Sequence, residues 1–304
     1  MARRRTARDY EDDVTAASRA GLAELMTALG AYRDALVLIG GWAPYLILET
    51  FGEPAAFQED AFQADAFQTK FVHVGSIDID LVVDPAIIDT ERYATIVEAL
   101  LDRGWEPVAG SLFQFEKAIP SARDARTHPI RVDFLSPKPL PGGGRTPRHR
   151  EVQRDLRART LEGAEVALAH HFWYELAAQV PGGASANVRL KVADIVGSLV
   201  LKGLAIGDRY AEKDAYDIYA LCAHYRGGPP TVADALRPFR EGGPVRRGLT
   251  AIAEKFRAAD AEGPTWVATF LGQDEGEARE RARVDAFMTV QEVLRLVGNR
   301  GEKR

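Results

Sequence analysis

Apolar residues recur at helical spacing over residues 12–31, at Val14, Ala17, Leu22, Leu25, Met26 and Leu29, and the pattern closes at Gly30. Leu36-Val37-Leu38-Ile39 reads as a short buried strand and Gly40-Gly41 as a turn. Trp42 to Thr50 then reads as a helix, with Pro44 in the first turn, where a missing N–H is tolerated. From Val74 to Asp84 the period changes to two. Ile77, Ile79, Leu81 and Val83 fall on one face of a predicted strand, and Asp78, Asp80 and Asp84 on the other. Residues 89–103 predict a helix ending at Gly104, and Trp105 to Val108, Ser111 to Ile119 and Pro129 to Leu135 predict strands. A Pro/Gly loop over 136–150 turns basic at its end. Beyond about residue 190 the pattern is helical: Asp194 caps a helix running through Ala205, Ala211 to Tyr225 forms another, and 231–240, 244–260 and 276–297 three more.

This order predicts an α/β (α+β) fold, with a mixed sheet and its helices followed by a helical C-terminal part. Residues 1–11 read as a disordered tail, 12–150 as the α/β domain and 151–304 as a mainly helical domain. Three tandem units, Ala56-Phe57-Gln58-Glu59-Asp60, Ala61-Phe62-Gln63-Ala64-Asp65 and Ala66-Phe67-Gln68-Thr69-Lys70, have a period of five. That period fits neither helix nor strand, so 53–70 is expected to be a repeat insert forming a surface loop.

Composition narrows the function classes. With 46% hydrophobic and 27% charged residues over 304, the chain can bury an ordinary globular core. A net charge of −5 argues against bulk electrostatic binding to nucleic acid, though not against a local basic channel. A single cysteine, Cys222, excludes a disulfide framework and a cysteine-based zinc site. The six histidines show no metal-ligand spacing. The longest apolar run, Val37 to Leu48, is too short to span a bilayer, and Asp9 to Asp13 follows the basic N-terminus where a leader would be apolar. The expectation is a cytoplasmic protein with no membrane partner.

The chemistry gathers in the acidic strands. Two carboxylates on one strand face are costly to bury without a cation or hydrogen bonds, and hard oxygens of this kind suit Mg²⁺ that also holds substrate phosphates. Asp133 lies in Ile130-Arg131-Val132-Asp133-Phe134-Leu135, where alternation puts Arg131 and Asp133 opposite the apolar set. If this strand lies beside the first, Asp78, Asp80 and Asp133 form a three-carboxylate metal site. Gly40-Gly41, leading into a helix N-terminus, would let a phosphate approach. Lys202 sits on an otherwise apolar helix and needs a partner, and Asp214 and Asp217 share a helical face at a spacing of three. Each of these taken alone is matched by a plain surface role: an acidic wet strand, an Arg–Asp surface pair, a tight turn, a salt-bridged helix.

Taken in order, four stretches resemble the AbiEii-type nucleotidyltransferases of the polymerase-β superfamily, which include toxins of type IV toxin–antitoxin and abortive-infection systems. They are Leu38-Ile39-Gly40-Gly41-Trp42-Ala43, Gly75-Ser76-Ile77-Asp78-Ile79-Asp80-Leu81, Arg131-Val132-Asp133-Phe134-Leu135, and Lys202 with Arg209 and Lys213-Asp214-Ala215-Tyr216-Asp217-Ile218-Tyr219, over about residues 35–225. The resemblance implies a polymerase-β-like mixed sheet and transfer of NMP from an NTP to an acceptor. It implies Mg²⁺ (or Mn²⁺) on Asp78 and Asp80 with Asp133 as third acid. Lys202 would neutralise phosphates, Asp214 would act near the nucleophile, and Asp217 would be its companion. Gly40, Gly41, Gly75, Ser76, Arg209 and Lys213 would complete the nucleotide site. Partners implied are an NTP, an RNA (tRNA) acceptor and a cognate antitoxin protein. The chain departs from the pattern in placing Gly75-Ser76 almost against the Asp-Ile-Asp, in its Phe-Gln repeat, and in the helices after about 226.

Three other readings share these residues: a small-molecule acceptor as in aminoglycoside-type enzymes, a protein acceptor, and a non-catalytic nucleotide-binding relative. The complete set Asp78, Asp80, Asp133, Lys202 and Asp214 speaks against the last. Arg145, Arg148, His149, Arg150, Arg154, Arg157 and Arg159 lean toward RNA. A dehalogenase-type phosphatase is set aside, because Leu81-Val82 follows the second aspartate.

Overall fold

The computed structural model describes residues 6–10, 12–52, 73–88, 95–121, 126–139, 147–209 and 212–299. The expected repeat insert at 53–70, the helix start at 89–94 and Arg145 lie outside these. The fold is mixed α/β, with parallel and antiparallel strand pairs and helices toward the C-terminus. It divides into two compact units, one spanning Tyr10–Ala43 and Gly75–Leu201, the other built from the described residues of Met1–Asp9, Pro44–Val74 and Lys202–Arg304.

Among the described residues the first unit is built on a nine-stranded sheet. In chain order its strands are β1 (Leu36–Ile39), β2 (Ile79–Val83), β3 (Glu106–Pro107), β4 (Gln114–Pro120), β5 (Thr127–Pro137), β6 (His149–Gln153), β7 (Leu156–Leu161), β8 (His171–Gln179) and β9 (Ser185–Ala193). The spatial order is β3-β4-β5-β2-β1-β9-β8, with the β6–β7 hairpin attached through β7 to the end of β5. The central strands β1 and β2 are apolar on both faces except at Asp80, as expected of strands covered on both sides. Helix α1 (Asp12–Ala28) buries Leu22, Leu25 and Met26 and crosses β4, β5, β8 and β9. At Gly21 an added Cβ would lie 3.1 Å from Ile119 and 3.5 Å from Ile130, so α1 covers the face that carries Ile130. Asp133, three residues on, belongs to the opposite face.

The second unit is helical. It holds α6 (Glu212–His224), α7 (Pro229–Leu236), α8 (Gly243–Lys255), α9 (Glu262–Phe270) and α10 (Gly276–Gly298), with most of α2 (Trp42–Phe51) and the end of α5 (Ile195–Asp208). Helix α10 buries Ala286, Val290, Val293 and Val297, a stripe at spacings of four, three and four that faces α6, α7 and α9. Gly203 lets α5 touch α8 backbone to backbone: a Cβ there would stand 2.5 Å from the Gly248 carbonyl oxygen.

Several expectations are corrected. The acidic strand begins at Ile79, not Val74. Gly75 has φ +79°, and Ser76 Oγ donates to the Asp78 carbonyl at 2.9 Å, so the chain bends and Asp78 sits just before the strand. The sheet does not end near residue 150. Strands β6 to β9 carry it to Ala193, because Leu156 and Ala158, then Leu176, Leu190 and Val192, alternate inward among polar residues. Helix α9 was not expected; its Pro264 is in the first turn, and Gly263 fits flush against Phe256, 2.6 Å from a Cβ position. The helical assignment at Asp194 stands: its Oδ1 accepts from the N–H groups of Val196 and Gly197 at 2.8 and 3.0 Å, capping α5. Helix α3 (Ile96–Leu101) starts at Thr95 with a capping box to Glu98, and the short helix α4 (Ala164–Ala169) packs on β1, β2 and β5.

Candidate active site

In the sheet unit, β2 and β5 run parallel with Asp80 directly opposite Asp133. Antiparallel pairing adds Ile39 beside Asp80 on β1 and Gln114 beside Asp133 on β4. Residues in lateral register point to the same face, so Asp80, Asp133 and Gln114 form one row across it. Gln114 Nε2 donates to Asp133 Oδ1 and Oδ2 at 2.9 and 3.1 Å. Burial holds the Asp133 carboxyl above its ordinary range, and the Asp78 charge pushes the same way; Gln114 and the Arg159 and Arg131 charges oppose them. Asp133 is therefore a half-buried carboxylate whose anion is under-compensated.

Gly40 closes the row from the β1–α2 turn. It has φ +70°, and a Cβ there would come within 2.0 Å of Asp80 Oδ2. Only glycine admits the Asp80 carboxylate against this turn. The structure thus puts Gly40 to use against Asp80 itself. Gly41 follows it and leads into α2. Gly75 and Ser76 shape the bend that carries Asp78.

Among the described residues no group of three His, Cys, Asp or Glu side chains stands close enough to hold a metal ion. What is in place is the Asp80–Asp133 pair in register, with the Asp78 charge acting on Asp133. The donors are hard oxygens on a sheltered face, and their chemistry fits Mg²⁺ or Mn²⁺.

In the helical unit, the remaining expected residues form one buried ion network. Lys202 Nζ, on α5, lies 2.7 Å from Asp214 Oδ1 and 2.5 Å from Asp217 Oδ2 on α6. Lys213 Nζ donates to Asp217 Oδ1 at 2.9 Å, one helical turn apart. The Arg209 guanidinium, 63% exposed, reaches Asp214 Oδ2 at 2.8 Å. Asp217 is 0% exposed. Burial works against every charge here, but the opposite charges win for three of them: Lys202 is held above its ordinary pKa, and Asp214 and Asp217 below theirs. Lys213, with burial as its largest influence, is lowered instead.

His73 belongs to this network and was not singled out by the sequence. Its Nε2 bonds Asp217 Oδ1 at 2.8 Å, and burial lowers its pKa to about 4, so the imidazole is neutral and donates. Tyr216 packs against it with ring centroids 5.0 Å apart. Lone histidines carry no periodic signal, and the partner lies 144 residues downstream. The Lys202 expectation is met in part: the lysine has its partners, and both are protein carboxylates of its own unit.

No helix among the described residues is long and apolar enough to cross a membrane. Comparison of the chain with protein-family models and with curated proteins gives no match.

Proposed function

We propose that the chain is a metal-dependent nucleotidyltransferase of AbiEii kind, transferring NMP from an NTP to an acceptor, with RNA as the acceptor class. The observation that carries this reading is the Asp80–Asp133 register on β2 and β5, with Gly40 flush against Asp80 and the Asp78 charge beside Asp133.

Asp78, Asp80 and Asp133 would hold Mg²⁺ or Mn²⁺, which when bound supplies charge neutralisation at phosphate oxygens. The protein groups do the positioning. Gln114 fixes the rotamer of Asp133 by donating to both its oxygens. Gly40 admits the Asp80 carboxylate against the β1–α2 turn, where any larger residue would displace it. The exposed Arg209 guanidinium at the rim of the Lys202 network suits a phosphate anion. Lys202 acts in this reading by setting the charge and order of that network. A cognate antitoxin and a cytoplasmic setting belong to the same reading.

The test is incorporation of label from each α-³²P NTP, with Mg²⁺, into total tRNA and into the protein. Label on tRNA that is lost in Asp80→Asn supports the reading and names the nucleotide. Label that survives in Asp80→Asn and in Asp133→Asn removes the carboxylate row from the chemistry.

A further inference from the structure

Resting on that reading, we propose that the outer face of the β6–β7 hairpin, with Phe113, binds the single-stranded end of the RNA acceptor beside Asp133. His149 and Arg159 are cross-strand partners on this hairpin, and Arg159 is the parallel neighbour of Leu135. Alternation along β5 puts Leu135 on the same face as Asp133, so Arg159 stands one face position along from the carboxylate row. The Phe113 and His149 rings pack with centroids 5.5 Å apart and planes 33° from parallel. The Arg159 guanidinium lies 5.7 Å from the centre of the Phe113 ring.

The other face of the hairpin already anchors it: Val152, Leu156 and Ala158 are buried. The outward cations are therefore not needed for its fold. On the face that carries His149 and Arg159 the cross-strand register adds Arg157, opposite Glu151, while Arg150 pairs with Ala158 on the buried face and Arg154 bonds Glu98 at 2.7 Å. Arg157 and Arg159 supply cations for a phosphate backbone, and an aromatic pair with a guanidinium beside it matches unstacked bases joined by phosphates. Bases in a duplex are stacked on each other and cannot offer their faces, so the fit is to a single strand. Asp133, one face position from Arg159, puts the terminal nucleotide next to the carboxylates.

The experiment is fluorescence anisotropy of a short fluorescein-labelled single-stranded oligoribonucleotide with the full chain, as a function of salt. Binding of a fluorescent NTP and α-label transfer are measured in parallel. Phe113→Leu and Arg159→Gln are each expected to weaken RNA binding by about tenfold. Arg159→Gln should also lower the salt slope by about 0.7. The control is Arg189→Gln, which removes a guanidinium stacked 4.5 Å over Trp173 on the β8–β9 hairpin and should change neither. Thermal melts verify that the variants fold. RNA binding equal to the parent in both variants overturns the proposal, as does an equal loss in the control. A loss of NTP binding in the variants also overturns it, because the rings then hold the donor nucleotide. RNA binding that falls as expected with no transfer to any acceptor keeps the surface and removes the enzymatic reading. Transfer to RNA with RNA binding untouched in both variants does the reverse.

Discussion

Asp80 and Asp133 face each other in register across the parallel pair β2–β5, and Gln114 pins Asp133 from the other side. Burial raises the Asp133 pKa, and the Asp78 charge adds to it. A divalent cation relieves both penalties, and a proton on Asp133 relieves them in competition with it. Mn²⁺ binding followed by titration calorimetry should therefore be lost in Asp80→Asn. In the parent it should weaken as pH falls from neutrality toward the raised Asp133 pKa. Affinity that does not depend on pH in this range would place the cation elsewhere.

Gly40 provides a steric test of the same row. Gly40→Ala puts a methyl where Asp80 Oδ2 now lies and forces a left-handed φ on alanine. The backbone strain alone is about 1–3 kcal/mol, and the displaced carboxylate adds to it. The expected outcome is a lowered urea midpoint together with weakened Mn²⁺ binding. A variant as stable as the parent would show that the turn has room to move.

The strand carrying Asp80, the strand carrying Asp133 and the Lys202 helix were legible because each has a strong period and an out-of-place polar residue. Their pairing was not: period-two alternation gives the face of Asp133 but cannot give its register with Asp80. Asp78 was misplaced because a positive-φ glycine at position 75 and a Ser76 hydroxyl bond break an apparently continuous strand. Strands β6 to β9 hid behind arginines and half-exposed positions, since a strand with one wet face and charged residues reads like a solvated loop. His73 left no trace, because its meaning depends on one distant carboxylate.

Lys202 separates a structural from a purely substrate-directed role. Lys202→Met leaves Asp214 and Asp217 short of a cation in a site where Asp217 is 0% exposed. Removing one partner of a buried ion pair costs about 3–5 kcal/mol. Chemical denaturation of the parent and the variant should show a loss of that size. A loss below about 1 kcal/mol, the range of exposed pairs, would mean that the network does not hold the helices together.

His73 makes stability depend on pH. Its folded pKa is about 4 against an ordinary 6.5, so the unfolded chain takes up the proton first. The contribution is fully present above pH 6.5 and is lost as pH falls toward 4. The span corresponds to about 3 kcal/mol. Unfolding free energies measured across this window should slope downward on acidification, and His73→Gln, which keeps a donor toward Asp217, should flatten that slope. A slope unchanged in His73→Gln would assign it to other groups.

Parallel reactions with α-³²P and γ-³²P label on the same NTP separate nucleotide transfer from every other use of that NTP. Nucleotidyl transfer predicts α label covalently on the acceptor, γ label released only as pyrophosphate, and neither product with Asp80→Asn. γ label on the acceptor, or α label that persists in Asp80→Asn, would rule out nucleotidyl transfer through the Asp80 site.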